Sequence, residues 1–295
     1  MTVGIVGLGL IGGSIGLSLR DPHRRIIGCD PSPQSEATAK ERSCVDEIVP
    51  LAQVAQAEIV FVAAPPRYVV SVISELQSLK GEDTVVTDCA SVKAEVVKWA
   101  EDHPDKNYVP GHPMAGHEKS GAAFASAWMF RGARWILSPT TSSSAAAVRQ
   151  VESVVKAMGA IPVRLAAEAH DHHMAVLSHL PHVLAGTLVQ MADGLDRTDV
   201  LGGSWRDLTR VGGVDPELWT QIISANRGEI SQVLGDFISR LQSVKHSLES
   251  EDMLAIRAFF ESAQSAKARQ ADAPMPQNNV QRPTSTKRRS SSNRR

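Results

Sequence analysis

The feature that most constrains this chain is a run of glycines near its start. Val3-Gly4-Ile5-Val6 is a short apolar stretch, and it leads into Gly7-Leu8-Gly9-Leu10-Ile11-Gly12. A G-x-G-x-x-G spacing that follows a strand and opens a helix is the pattern of a pyrophosphate-binding turn. Gly7 permits the tight turn, Gly9 lets the backbone approach a phosphate, and Gly12 lets the helix pack on the strand. The opening turn of that helix, with Leu10 and Ile11, offers free N–H groups and a positive dipole end to the anion. Asp30 ends the second apolar run, where a carboxylate accepts from a ribose 2′-OH and repels a 2′-phosphate. NAD is therefore the favoured cofactor and NADP the alternative. Arg24 and Arg25 precede that run and are not placed like a 2′-phosphate-binding arginine.

The rest of the first half repeats the alternation. Strands are expected at Val3–Gly7, Arg25–Asp30, Glu58–Ala64, Thr84–Cys89, Asn107–Pro110 and Arg134–Leu137. Helices are expected at Leu10–Arg20, Gln34–Arg42, Pro66–Leu79 and Val92–Ala100. Apolar strands alternating with helices predict a parallel sheet covered on both faces. After the polar run Thr140–Ser144 a helix at Ala145–Met158 and a short strand at Ile161–Leu165 are expected. From Glu168 strand patterns vanish, and helices are expected at 168–192, 215–248 and 251–268. Within 215–248, Ile222, Ile223, Ile230, Val233, Leu234, Phe237, Ile238 and Leu241 recur at helical spacing and need a partner surface. The expected class is α/β: an N-terminal Rossmann domain at 1–142, then a mostly α-helical dimerisation domain at 143–267. Residues 268–295 have few large apolar groups and are expected to form a disordered basic tail.

Charge separates body from tail. Residues 267–295 hold eight of the 31 basic side chains and one of the 32 acids, so residues 1–266 are left with 23 basic and 31 acidic groups. The tail lacks the interleaved aromatics that stack on bases, so nucleic acid is not expected as a partner. Cys29, Cys44 and Cys89 form no CxxC pair, which argues against a disulfide framework or a zinc site and for a reducing cytoplasm. His170, His172 and His173 lack a carboxylate at ligand spacing, so no metal is assigned. The N-terminus has no basic leader, and no stretch reaches about 18 uninterrupted apolar residues, so neither secretion nor a membrane partner is expected.

Four further segments carry chemistry: Thr87-Asp88-Cys89-Ala90-Ser91-Val92-Lys93, Gly111-His112-Pro113-Met114-Ala115-Gly116 with Glu118-Lys119-Ser120-Gly121, Ser178-His179-Leu180-Pro181-His182, and Arg206-Asp207-Leu208-Thr209-Arg210 with Asp215-Pro216-Glu217-Leu218-Trp219. In this order, after the glycine turn, they resemble the prephenate/arogenate dehydrogenases of tyrosine biosynthesis over residues 1 to about 265. The resemblance implies a stand-alone, dimeric, NAD(P)-dependent enzyme that oxidatively decarboxylates prephenate or L-arogenate to 4-hydroxyphenylpyruvate or L-tyrosine. It implies that His112 is the base for the substrate's C4 hydroxyl, a role suited to imidazole because its ordinary pKa lies near working pH. It implies that Ser91 orients hydroxyl, His112 and nicotinamide, that Arg210 binds a substrate carboxylate, and that His179 and His182 lie near the substrate. Arg206 adds positive charge, and Glu118 and Trp219 shape access. Two other readings stand beside it. A β-hydroxyacid-type dehydrogenase would need a lysine in the helical domain, and residues 168–244 contain none. A non-enzymatic nucleotide-sensing module would use the basic tail to bind a partner.

Overall fold

A computed structural model describes residues 1–117, 119–195 and 200–272 of the chain. Glu118 and residues 273–295, which include most of the expected tail, lie outside the described residues.

The first half is a six-stranded, wholly parallel sheet. Its strands are β1 (Thr2–Val6), β2 (Arg25–Cys29), β3 (Glu47–Ile48), β4 (Ile59–Val62), β5 (Val85–Asp88) and β6 (Tyr108–Val109), in the order β3-β2-β1-β4-β5-β6. The chain works outward from β1 on one side and from β4 on the other. The crevice between them, at the carboxyl ends of the strands, is where such sheets bind ligands. The helices are α1 (Leu10–Ser18), α2 (Pro33–Glu41), α3 (Leu51–Val54), α4 (Pro66–Leu79) and α5 (Ala94–Asp102). β4 is apolar throughout because both its faces are covered: Ile59 and Phe61 enter one core, Val60 and Val62 the other.

A second sheet of three strands follows: β7 (Gly111–Pro113), β8 (Arg134–Leu137) and β9 (Ile161–Arg164). β7 is antiparallel to β8, and β9 is parallel to it. Between β8 and β9 runs α6 (Ala145–Ala157). A boundary at 142 would place α6 and β9 in the second domain. The packing puts both in the first, since Val148, Val151, Val154 and Val155 share a core with Val3, Ile5 and Trp135, and β9 is hydrogen-bonded to β8. β3, α3 and β7 are too short to leave a periodic signal.

The rest of the described residues are mostly helical: α7 (Ala167–Met174), a π-helical turn (Ala175–His179), α8 (Leu180–Ala192), α9 (Gly203–Thr209), α10 (Pro216–Ala225), α11 (Arg227–Glu249) and α12 (Met253–Asp272). The expected helix at 215–248 is broken at Asn226 into α10 and α11. The expected helix at 168–192 is continuous but widens over one turn. Pro181 has no N–H to offer Leu177, and its ring crowds that carbonyl, so the wider turn relieves it. The last helix runs to Asp272, past the limit of 267. Ala167–Ala192 is long and apolar enough to span a membrane by length and composition, but seven acids and histidines interrupt it and several of them bond inside the protein. The helical core is small: Ala175, Leu180, Ile230 and Val233 are its buried members. Leu241, Leu248, Leu254, Phe259 and Phe260 stay exposed along α11 and α12.

Candidate active site

The glycine turn has the geometry its spacing requires. Gly7 sits at φ +93°, and a Cβ there would lie 2.6 Å from the Ala63 carbonyl oxygen. A Cβ on Gly12 would lie 1.9 Å from the Gly7 carbonyl oxygen and 3.0 Å from Ile5, so only glycine lets α1 close on β1. A Cβ on Gly9 would meet nothing within 4 Å, so the space in front of it is open. Gly9 caps α1 and leaves the first N–H groups of the helix, at Leu10 and Ile11 among them, without intrahelical partners. Asp30 is held facing this turn: Leu8 N–H donates to its Oδ2 at 2.7 Å and Ser32 N–H to its Oδ1 at 2.8 Å. An open cradle of backbone donors at a helix N-terminus fits the pyrophosphate of a dinucleotide.

Ser91 and His112 lie beyond the ends of β5 and β6, on two segments pinned by a buried ion pair. Lys93 and Asp88 are fully buried, and Lys93 Nζ donates to Asp88 Oδ1 and, at 2.7 Å, to the Gly111 carbonyl. Asp88 also accepts from Ala90 N–H at 2.8 Å and the Tyr108 hydroxyl at 2.7 Å. The pair thus ties the half-buried Ser91 loop to the residue just before His112. Gly111 is needed there, because a Cβ would press within 3.0 Å of Asp88, Trp135 and Thr87. With an acid five residues before it, Lys93 could be suspected from sequence, but nothing there signals its burial.

His112 is buried and meets the helical half directly. Its Nδ1 lies 2.8 Å from Nε2 of His170, and Nδ1 of His170 lies 2.7 Å from Oδ1 of Asp171. Asp171 accepts from the N–H groups of Lys93 and Ala94 at 2.7 Å each, which caps α5 across the domain boundary. His170 has its carboxylate one residue away, a hydrogen-bonding rather than a ligating arrangement, so a search for metal spacing misses it. Burial above all, then His170, Lys93 and His179, hold the His112 pKa well below the ordinary histidine value.

His179 is buried at the end of the π turn. Asn226, at the break between α10 and α11, donates its amide to the Asp171 carbonyl at 2.8 Å and to His179 Nδ1 at 3.2 Å. His179 is thereby left with its hydrogen on Nε2. Burial lowers its pKa to about 4, with Asp171 opposing and His170 and His182 adding to the shift, so it is a neutral donor at working pH. His182 is half-buried, stacks on Trp219 with ring centroids 3.7 Å apart, and donates from Nδ1 to the Ser178 carbonyl at 2.8 Å. Its pKa is lowered by burial, the Ser178 bond opposing and the Arg210 charge assisting. A cavity of about 510 Å³ opens beside it, lined by Ser178, His182, Asp207 and Arg210 with apolar neighbours. Arg210 is exposed on this cavity, and Arg206, one turn earlier, does not line it. A further link joins the halves: Arg67, at the start of α4, donates to Glu217 at 2.8 Å.

The structure therefore gathers His112, His179, His182, Trp219 and Arg210 from separate stretches and adds His170, Asp171, Asn226 and Lys93. The exposed His117, His172 and His173 stay outside the group. Buried imidazoles and a guanidinium at a cavity rim are groups that can exchange a proton and hold a carboxylate.

The chain matches the family description "Prephenate dehydrogenase, nucleotide-binding domain" over residues 15–163 and "Prephenate dehydrogenase, dimerization domain" over residues 166–262. It is 32% identical to a Bacillus subtilis prephenate dehydrogenase over 274 residues, covering 89% of this chain and 74% of that protein. The solved Aquifex aeolicus prephenate dehydrogenase, in complex with hydroxyphenyl propionate and NAD+, superposes with a TM-score of 0.83 at 29% identity, over 91% of this chain and 98% of that one. Synechocystis arogenate dehydrogenase gives 0.78 at 27% identity, over 91% and 99%. The glycine turn, the gathered histidines and two family matches that together span most of the chain agree, and the chain belongs to the prephenate dehydrogenase family.

Proposed function

We propose that this chain oxidises and decarboxylates prephenate or L-arogenate, with NAD as the preferred hydride acceptor. The observation that carries the reading is the buried His112, just past the end of the nucleotide-binding sheet, whose Nδ1 meets His170 of the helical half at 2.8 Å. Gly7, Gly9, Leu10, Ile11, Gly12 and Asp30 would hold the dinucleotide. The bound nicotinamide supplies a hydride acceptor for C4 of the substrate ring. His112 takes the C4 hydroxyl proton, and Ser91 orients that hydroxyl. Arg210 pairs with a substrate carboxylate, where a guanidinium can make two parallel hydrogen bonds. His179 offers its Nε2 hydrogen to the substrate. As the C1 carboxylate leaves as CO₂, the bonding pair enters the ring and makes it aromatic.

Three free thiols support a reducing, cytoplasmic setting. The small helical core and the exposed apolar residues of α11 and α12 support a homodimer formed through that half.

Steady-state rates of both substrates against NAD and NADP test the reading. We expect turnover of at least one substrate, with the higher kcat/KM for NAD, and a narrower preference in Asp30→Ser. Failure to turn over either substrate with either cofactor sinks the activity. A tenfold preference for NADP, about 1.4 kcal/mol, sinks the role of Asp30 alone.

A further inference from the structure

The proposed reaction needs His112 to present a lone pair to the substrate, and the role assigned below to its neighbours rests on that reading. A neutral imidazole has one N–H and one lone pair, so its tautomer decides whether it accepts or donates. Here the tautomer is set two side chains away. The Asp171 carboxylate can only accept, and it lies 2.7 Å from His170 Nδ1. Both of its oxygens also accept from backbone N–H groups at the start of α5, at 2.7 Å each. His170 must then carry its hydrogen on Nδ1 and keep a lone pair on Nε2. That lone pair faces His112 Nδ1 at 2.8 Å, so the His112 hydrogen sits on Nδ1. Nε2 of His112 is left bare.

We infer that His170 and Asp171 are positioning residues that hold His112 in the proton-accepting tautomer and supply the counter-charge once it has accepted. The substrate O–H bond breaks and a bond from hydrogen to His112 Nε2 forms. The resulting imidazolium keeps its Nδ1–H on the His170 lone pair. The Asp171 carboxylate, at the far side of His170, offsets the new positive charge without itself taking the proton. The whole chain of contacts is buried, where such an offset is strongest. It also crosses from the nucleotide-binding half to the helical half, so His112 can act as a base only where the two halves are docked.

Two variants of the full-length protein separate this from a merely structural role. His170→Leu removes the acceptor facing His112 and leaves the Asp171 cap on α5. His170→Gln keeps an acceptor oxygen within reach. We expect His170→Leu to lower kcat about a hundredfold, at the low end of what a general base contributes, with substrate KM and NAD affinity within about threefold. His170→Gln should recover most of that loss. Ring-nitrogen NMR of histidine-labelled protein, with His112 assigned from the His112→Asn spectrum, should show hydrogen on Nδ1 of His112 in the wild type and a shift toward Nε2 in His170→Leu. A wild-type His112 protonated on Nε2 overturns the inference whatever the rates, and that measurement decides the matter if His170→Leu does not fold. A folded His170→Leu enzyme with kcat within threefold of wild type also overturns it. If His112→Asn itself keeps its rate, the base reading has failed instead.

Discussion

The glycine turn and the histidine network serve one reaction in the function proposed here, and they are built in opposite ways. The turn is backbone: three glycines within six residues, one of them at positive φ, and a row of N–H groups at the head of α1. The network is side chain: His112, His170, His179 and Asn226 come from three segments up to 114 residues apart and meet only in the folded chain. A backbone site tolerates no Cβ where it is tight and any side chain where it is open. A side-chain site tolerates changes of shape and fails on changes of proton or charge.

The sharpest break in that comparison is His112→Asn. It keeps a polar side chain of similar reach but cannot take the proton, so kcat should fall by about 10²–10⁴ while ligand dissociation constants change far less. Ser91→Ala should cost a smaller factor, because the role proposed for Ser91 is to orient the hydroxyl and not to take its proton. A folded His112→Asn protein retaining more than about a tenth of wild-type kcat removes His112 from the chemistry.

The turn should respond in reverse. Gly12→Ala drives a Cβ against the Gly7 carbonyl, and overpacking of this kind costs about 1–3 kcal/mol, to be read from urea unfolding of the apoprotein. Gly9→Ala meets nothing in the apoprotein, so its Tm should be unchanged while NAD binding weakens. Equal stability losses in the two variants would erase the contrast between tight and open positions.

Arg210→Ala should raise substrate KM about tenfold, roughly 1.4 kcal/mol, and leave NAD affinity intact. The effect is kept modest because the guanidinium is exposed and its charge is screened. Arg206→Ala should do less, since Arg206 does not line the cavity. If Arg206→Ala does the greater damage, the two assignments exchange.

The smallest effect is a shift in pH. From sequence alone, His112 would give an ordinary histidine limb. In the fold, burial depresses its pKa, so the active neutral form persists as pH falls below 6.5, and the acid limb of kcat/KM should lie beneath that value. Stability follows the same sign. His179, with its pKa lowered to about 4, binds fewer protons folded than unfolded, so Tm should decline as pH drops from about 6.5 toward 4. An acid limb at or above 6.5 contradicts the burial of His112.

What could be read from the residues alone was whatever depends on local spacing. The positive φ at Gly7, the close approach at Gly12, the proline-started α4 at Pro66–Leu79, the apolar β4 and the position of Asp30 each follow from neighbours a few residues away. Ser91, His112, His179 and Arg210 stood out as motif members, but spacing does not say which of them touch. Tertiary structure alone decided that Lys93 is buried against Asp88, that Asp171 caps a helix 77 residues earlier, that Asn226 breaks a helix to reach His179, and that α6 belongs to the first core. Burial and tautomer are properties of surroundings: a histidine has no fixed pKa or proton position until its desolvation and its partners are set, and here those partners arrive from the other half of the chain.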